Sequence, residues 1–211
     1  MEVIPAILES TWPEVEKKIR LVEGLTDWIQ LDVSDGIFTP VKTWDNPSDL
    51  LGLELKSKIE VHLMIENPLA VLNSWFANPV DRIVIHVESL NNGKHPMFAM
   101  FARDDKEIVL GFNVETPWEQ YQELIKQVGR VLFLSVSPGY QGQEFNERVF
   151  AKIKTLKLAM PQIKIEVDGG INISNISELK SLGVDIAVVG SAIFESADLK
   201  QTLKTLMDAS V

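Results

Sequence analysis

Short runs rich in β-branched and aliphatic residues recur along the chain, separated by stretches of helical period. The runs are VIPAIL (3–8), WIQLDV (28–33), IEVHLM (59–64), RIVIHV (82–87), EIVLGFNV (107–114), VLFLSV (131–136), IKIEVDG (163–169) and DIAVVG (185–190). Between them, WPEVEKKIRLVEG, PWEQYQELIKQVG, EFNERVFAKIKTLKLAM and SNISELKSLG bring apolar residues near helical spacing, several with glycine close to the end, the pattern of amphipathic helices. Strands alternating with helices pair in parallel, and βα repeated eight times in 211 residues predicts an α/β fold of the closed (β/α)8 TIM-barrel type. An open doubly wound sheet is the competing arrangement. No linker or low-complexity tract divides the chain, so a single barrel domain is expected over 1–211. VESLNNGKHPM (87–97) reads as a loop after the fourth strand.

A parallel strand buried on both faces should be apolar almost throughout. Several of these are not. Side chains alternate across a strand, so Gln30 and Asp32 oppose Ile29, Leu31 and Val33, while Glu60 and His62 oppose Ile59, Val61 and Leu63. Lys164, Glu166 and Asp168 oppose Ile163, Ile165 and Val167, and Arg82 and His86 oppose Ile83, Ile85 and Val87. In a barrel the apolar face meets the helices, and Asp32, His62 and Asp168 then converge at the carboxyl-terminal mouth, where such barrels do chemistry. Each residue alone has a plainer explanation as a turn former, a cap or a hydrogen-bonded core histidine. Together they would carry large desolvation costs unless a cation or polar substrate met them.

Composition narrows the partners. A net charge of −10 argues against broad nucleic-acid or anionic-membrane binding, and no segment reaches the length of a membrane span. The absence of cysteine removes thiolate chemistry but is compatible with any compartment. The beginning of the chain, MEVIPAILEST, has no targeting pattern, so a cytoplasmic protein is expected. Glycine adds a second constellation: SPGYQGQ (137–143), DGGIN (168–172) and VGSAIF (189–194) follow the last three strands. Loops after strands seven and eight commonly bind phosphate through backbone N–H groups, which favours a phosphorylated substrate over plain turns.

VHLMIENP, SVSPGYQGQEF, EVDGGIN and GSAIF, taken with PAIL near the start, together resemble the ribulose-phosphate 3-epimerase family. The resemblance implies a ribulose-phosphate-binding barrel that inverts C3 between ribulose 5-phosphate and xylulose 5-phosphate. It implies Asp32 and Asp168 as the base and acid on opposite faces of C3. It also implies a divalent metal (Zn, Mn, Fe, Co or Mg) on Asp32, His62 and Asp168. Gly170, Gly190 and Ser191, with Gly139, Tyr140, Gly142 and Gly169 beside them, would hold the phosphate of a small phosphorylated sugar. A homo-oligomer is expected on the same ground.

The departures from the family pattern gather at the same place. Gln30 stands where relatives carry a metal-binding histidine; its amide oxygen is a poorer ligand for zinc, iron or cobalt than imidazole, though usable by hard cations. Ala6 replaces a substrate-contacting serine. Ser34 and Leu134 replace two methionines of a cap that leaves Met64 as the third, Ile37 replaces a polar residue, and Gln141 interrupts a Gly-Gly pair. A noncatalytic sugar-phosphate-binding homologue and an epimerase for another ketose phosphate therefore stand as alternatives. An aldolase or decarboxylase would need a lysine at a strand end, which IEVHLMIEN does not supply after the third strand.

Overall fold

A computed structural model of the chain describes residues 1–90 and 106–210. Eight strands, β1 (Glu2–Ile7), β2 (Trp28–Ser34), β3 (Lys58–Met64), β4 (Arg82–His86), β5 (Glu107–Phe112), β6 (Arg130–Leu134), β7 (Lys164–Asp168) and β8 (Ile186–Val189), close in chain order into a barrel. All eight pairings are parallel, β8 returning to β1.

Register decides which residues share the lumen. Gln30 pairs with Glu60, Asp32 with His62, Glu60 with Arg82, and Leu134 with Asp168, so the polar set of each strand points inward at matched heights. The opposite faces, Ile29, Leu31, Val33, Ile59, Val61 and Leu63 among them, are buried in the layer between strands and helices. A second apolar cluster of Ile4, Ala6, Val84, Val109, Leu132, Leu134, Ile186 and Val188 fills much of the lumen. The barrel is therefore packed, with no room for an axial channel.

Among the described residues the helices are α1 (Trp12–Val22), α2 (Pro68–Phe76), α3 (Gln122–Val128), α4 (Arg148–Ala159), α5 (Ile176–Ser181), α6 (Ser191–Phe194) and α7 (Leu199–Ala209). In α1 the buried Val15, Ile19 and Val22 follow the helical period. Asp198 caps α7 by accepting from the Gln201 N–H at 3.0 Å, using a donor that the first turn leaves free. One connection differs from expectation: between β2 and β3 there is no α-helix, only a 3-10 turn at Pro47–Leu50. The turn stops because Leu51 is extended and Gly52 follows with φ at +84°, a left-handed position at which helices end. The loop expected at 87–97 begins as a 3-10 turn, Val87–Ser89, and from residue 91 lies outside the described residues. Among the described residues no helix is long and apolar enough to cross a membrane.

The amino-terminal end of the lumen holds a buried ionic cluster. Arg82 Nε donates to Glu60 and lies 3.6 Å from Glu166 Oε1. Arg130 lies 3.1 Å from Glu166 and 3.2 Å from Glu107. The Arg82 guanidinium sits 3.9 Å from the centre of the Trp28 ring, a cation–π contact that covers the cluster from one side.

Candidate active site

Strands β2, β3 and β7 deliver Asp32, His62 and Asp168 to one point near the carboxyl-terminal mouth. His62 Nδ1 is 3.3 Å from Asp32 Oδ1 and 3.4 Å from Asp168 Oδ2, and the three possible donor atoms all lie within 4.8 Å of one another. Gln30 joins them from below. Its Nε2 donates to Asp32 Oδ1 at 2.7 Å and to Asp168 Oδ2 at 2.9 Å, and lies 3.5 Å from His62 Nδ1. The amide therefore turns its nitrogen, not its oxygen, toward the cluster, while Gln30 Oε1 is buried without a partner.

Two carboxylates this close, out of water, shift the protons around them. Burial pushes Asp32 up, and the Asp168 charge adds to the rise against the hydrogen bonds from His62 and Gln30. Burial alone would lower His62, but its hydrogen bonds to Asp168 and Asp32 and their charges raise it to about 10. Among the described residues, the imidazole of His62 and the amide of Gln30 are the groups that meet these carboxylates.

Above this point opens a cleft. Asp32, His62 and Asp168 form its floor, and Ala6, Met64, Gly139, Tyr140, Gln141, Gly142, Gly169, Gly170, Gly190 and Ser191 all line it. Every other site residue expected from the sequence is thus brought to one cleft, Gln30 lying just beneath. Among the described residues that line it, none is lysine or arginine. An anion here would be met by backbone N–H groups and the Ser191 hydroxyl, an arrangement that favours glycine because backbone must approach closely. Gly170 shows the constraint: with φ at +61°, a Cβ there would fall 2.6 Å from the Phe145 nitrogen. At Gly190 a Cβ would meet only the Ala6 carbonyl oxygen at 3.5 Å, so internal packing leaves space for a side chain there.

The comparisons with known proteins can be set against this geometry. Residues 2–194 match the family described as the Ribulose-phosphate 3 epimerase family. A ribulose-phosphate 3-epimerase of Helicobacter pylori (strain J99) is 35% identical over 216 residues, which cover 99% of this chain and 97% of that protein. The chain belongs to the ribulose-phosphate 3-epimerase family. It is an epimerase-like isomerase on this evidence of kinship, and a second relative of the same name, from Aquifex aeolicus, is 31% identical and covers 98% of this chain and 97% of its own length. More distant solved structures share the fold alone. The structure titled KGPDC from Streptococcus mutans in complex with D-R5P has a TM-score of 0.72 at 12% identity, covering 99% of this chain and 96% of that one. A 3-hexulose-6-phosphate synthase has a TM-score of 0.67 at 15% identity, with full coverage of both chains.

Within this epimerase-family barrel the unusual residues take particular places. Leu134 and Met64 line the cleft. Ser34 does not: it is fully buried, donates to the Val41 carbonyl at 2.6 Å, and lies 2.5 Å from Thr39 Oγ1. Its small hydroxyl ties the loop after β2 instead of capping a substrate. Ile37 is 69% exposed and faces solvent. Gln141 donates from Nε2 to the Leu8 carbonyl at 3.3 Å, joining the loop after β6 to the end of β1. The sequence reading placed His86 on the lumen face but gave it no role, and it passed over Glu88. His62 Nε2 lies 2.8 Å from His86 Nε2, and His86 Nδ1 lies 3.0 Å from Glu88 Oε2. The signal was present as H-x-E directly at the end of β4.

Proposed function

We propose that this family member is a ketose-phosphate 3-epimerase that interconverts ribulose 5-phosphate and xylulose 5-phosphate by proton transfer at C3 between Asp32 and Asp168. The observation that carries the reading is the pair of carboxylates bridged by one amide nitrogen, at 2.7 and 2.9 Å, on the floor of a cleft whose wall is glycine-rich. Inversion at a carbon needs an acceptor for the proton on one face and a donor on the other. Burial and the charge of Asp168 raise the Asp32 carboxyl from its ordinary value, a difference of environment of the kind that separates an acid from a base. Phosphate bound at Gly170, Gly190 and Ser191 fixes the distance from anion to C3 and makes the proton transfer effectively intramolecular. Met64 and Leu134 keep water from the reacting carbon.

The residues also fit a divalent cation. Ligand atoms about 2.0–2.2 Å from one ion are at most ~4.4 Å apart, and the donor atoms of Asp32, His62 and Asp168 lie within 4.8 Å of one another, so a small contraction seats it. An ion of the Zn, Mn, Fe, Co or Mg class held there would supply electrostatic stabilisation of the enediolate oxygens. Gln30 joins as a fourth ligand only if its amide turns Oε1 toward the cluster, which would also give that buried atom a partner. Kinship with a relative named as a cytoplasmic isoform, from Oryza sativa, supports a cytoplasmic home.

A noncatalytic sugar-phosphate binder is the second reading, favoured by Gln30 and by the withdrawal of Ser34 from the cleft. Purified protein incubated with ribulose 5-phosphate in deuterated water separates the two, with metal content measured on the same sample. Deuterium at C3 is expected. Tight binding of the sugar phosphate with no deuterium entering C3 overturns the epimerase in favour of the binder.

A further inference from the structure

His62 has two ring nitrogens, and only one faces the carboxylates. Nδ1 points at Asp32 and Asp168, while Nε2 lies 2.8 Å from Nε2 of His86. On the far side of that second ring, Nδ1 of His86 lies 3.0 Å from Glu88 Oε2. A carboxylate accepts and an N–H donates, so the His86 proton is on Nδ1 and its Nε2 is left as an acceptor. The contact between the two histidines then requires His62 Nε2 to be the donor.

The second ring is held in a built position. His86 is fully buried, and it pairs in register with Gly111, where a Cβ would come within 3.1 Å of Cδ2 and Nε2 of the imidazole. The Phe38 ring lies 5.0 Å from it, centre to centre. Glu88 is fixed in turn by the Asn113 N–H, which donates to Oε1 at 2.8 Å. Nothing in the two-carboxylate chemistry requires these groups, yet they converge on one nitrogen.

We propose that His86 and Glu88 are positioning residues that fix the proton of His62 on Nε2, so that His62 Nδ1 is presented as a ligand atom between the two aspartates. A ligand imidazole whose remote N–H is held by a hydrogen-bond acceptor is oriented and made more basic, and loss of such a partner typically weakens metal binding by about ten- to a hundredfold. Here the acceptor is a second imidazole, with a carboxylate behind it that sets its tautomer. This extends the reading of Asp32, His62 and Asp168 as an ion-binding set.

The test is the tautomer of each ring, read from two-bond proton–nitrogen correlations on 15N-labelled protein with and without zinc, beside calorimetric zinc titration. Wild type is expected to carry the His86 proton on Nδ1 in both samples, and the His62 proton on Nε2 when zinc is bound. Glu88→Ala is expected to lose the fixed His86 pattern, weaken zinc by about ten- to a hundredfold, and lower kcat for ribulose 5-phosphate without raising KM. Glu88→Gln keeps one acceptor oxygen for two donors, the His86 Nδ1–H and the Asn113 N–H, and is expected to fall between wild type and Glu88→Ala in both the tautomer pattern and zinc affinity. A His86 proton on Nε2 in wild type overturns the proposal, as does a Glu88→Ala protein with unchanged zinc affinity and kcat. Should Glu88→Ala fail to fold, the wild-type spectrum still decides. Gly111→Ala, which pushes a methyl group against the His86 ring, then takes the place of the variant. If wild type binds no zinc, the ion-binding reading fails by itself, and the tautomer of His86 alone judges the relay.

Discussion

The two ends of one lumen carry the same kinds of side chain and treat them oppositely. At the amino-terminal end Glu60, Glu107 and Glu166 meet Arg82 and Arg130, with Trp28 against the guanidinium of Arg82. Burial raises Glu166 to about 8, and the neighbouring Glu60 adds to the rise, so one of these carboxyls sheds its charge near neutrality. The cluster is closed by its own members. At the other end, two residues further along β3 and β7, Asp32 and Asp168 share one imidazole and one amide, and among the described residues no lysine or arginine lines the cleft above them. Unsatisfied atoms do not distinguish the ends, because Glu60 Oε1, Arg82 Nη2 and Glu166 Oε2 are as orphaned as Gln30 Oε1. What distinguishes them is whether the missing charge can come from outside. The closed end is structural because its partners are internal; at the open end the described residues bring no lysine or arginine to the cleft, where a substrate or ion can enter.

The largest effects should break that contrast directly. Asp168→Asn keeps the shape and removes the proton acceptor, so deuterium exchange at C3 is expected to fall by about a hundred- to ten-thousandfold. Affinity for the sugar phosphate should hold, since the glycine loops are untouched. Exchange close to wild type would remove Asp168 from proton transfer. At the closed end, Arg82→Met strands Glu60 and Glu166 without their shared cation, and breaking a buried pair in this way costs about 3–5 kcal/mol. Urea unfolding should register that loss, while turnover per folded molecule stays near wild type. A variant as stable as wild type would mean that the ionic cluster contributes nothing net.

Gly170→Ala should act more locally. The new methyl group would sit 2.6 Å from the Phe145 nitrogen at a φ of +61°, so the loop after β7 has to shift and take the anion-facing backbone with it. A positive-φ alanine in a constrained loop costs on the order of 1–3 kcal/mol, and a comparable loss from binding would raise KM by roughly tenfold. Inhibition constants for inorganic phosphate against the variant check this. An unchanged constant would make the glycine loops ordinary turns.

Much of this contrast was legible before any coordinates. Period-two alternation with one polar face put Gln30, Asp32, Glu60, His62, Glu166 and Asp168 in the lumen, because a one-residue error would have turned every isoleucine and valine inward with them. The glycine-rich loops were legible because close backbone approach excludes side chains. What the pattern could not carry was the direction of an amide and the partner of a ring nitrogen. Nothing in WIQLDV fixes which end of the Gln30 amide meets the carboxylates. RIVIHVES holds His86 and Glu88 two residues apart, but their relation to His62 depends on barrel closure bringing β3 and β4 into register. The missing helix between β2 and β3 was also hidden, since eight strands do not require eight α-helices when a left-handed glycine ends a connection's helical turn early.

Gln30→His gives the smallest change and the sharpest reading of the open end. In the wild-type arrangement the amide nitrogen lies at 2.7, 2.9 and 3.5 Å from the three donor atoms, so it partly screens two carboxylates from each other without any ion. Imidazole at this position removes that bridge and offers a nitrogen ligand in its place, and zinc and cobalt favour imidazole over a neutral amide. The variant without metal should therefore be less stable than wild type, by about 1.5–3 kcal/mol for the one hydrogen bond to a carboxylate that an imidazole N–H does not replace. With zinc the order should reverse, because an ion that binds only the folded state stabilises it by mass action. Zinc affinity is expected to rise on the order of tenfold. Thermal unfolding of both proteins, each with chelator and with zinc, reads the two terms separately. If chelator leaves the two proteins equally stable, the amide is not holding the carboxylates together. If zinc raises both melting temperatures equally, Gln30 does not face the ion, and the open end of the barrel meets its missing charge by some other group.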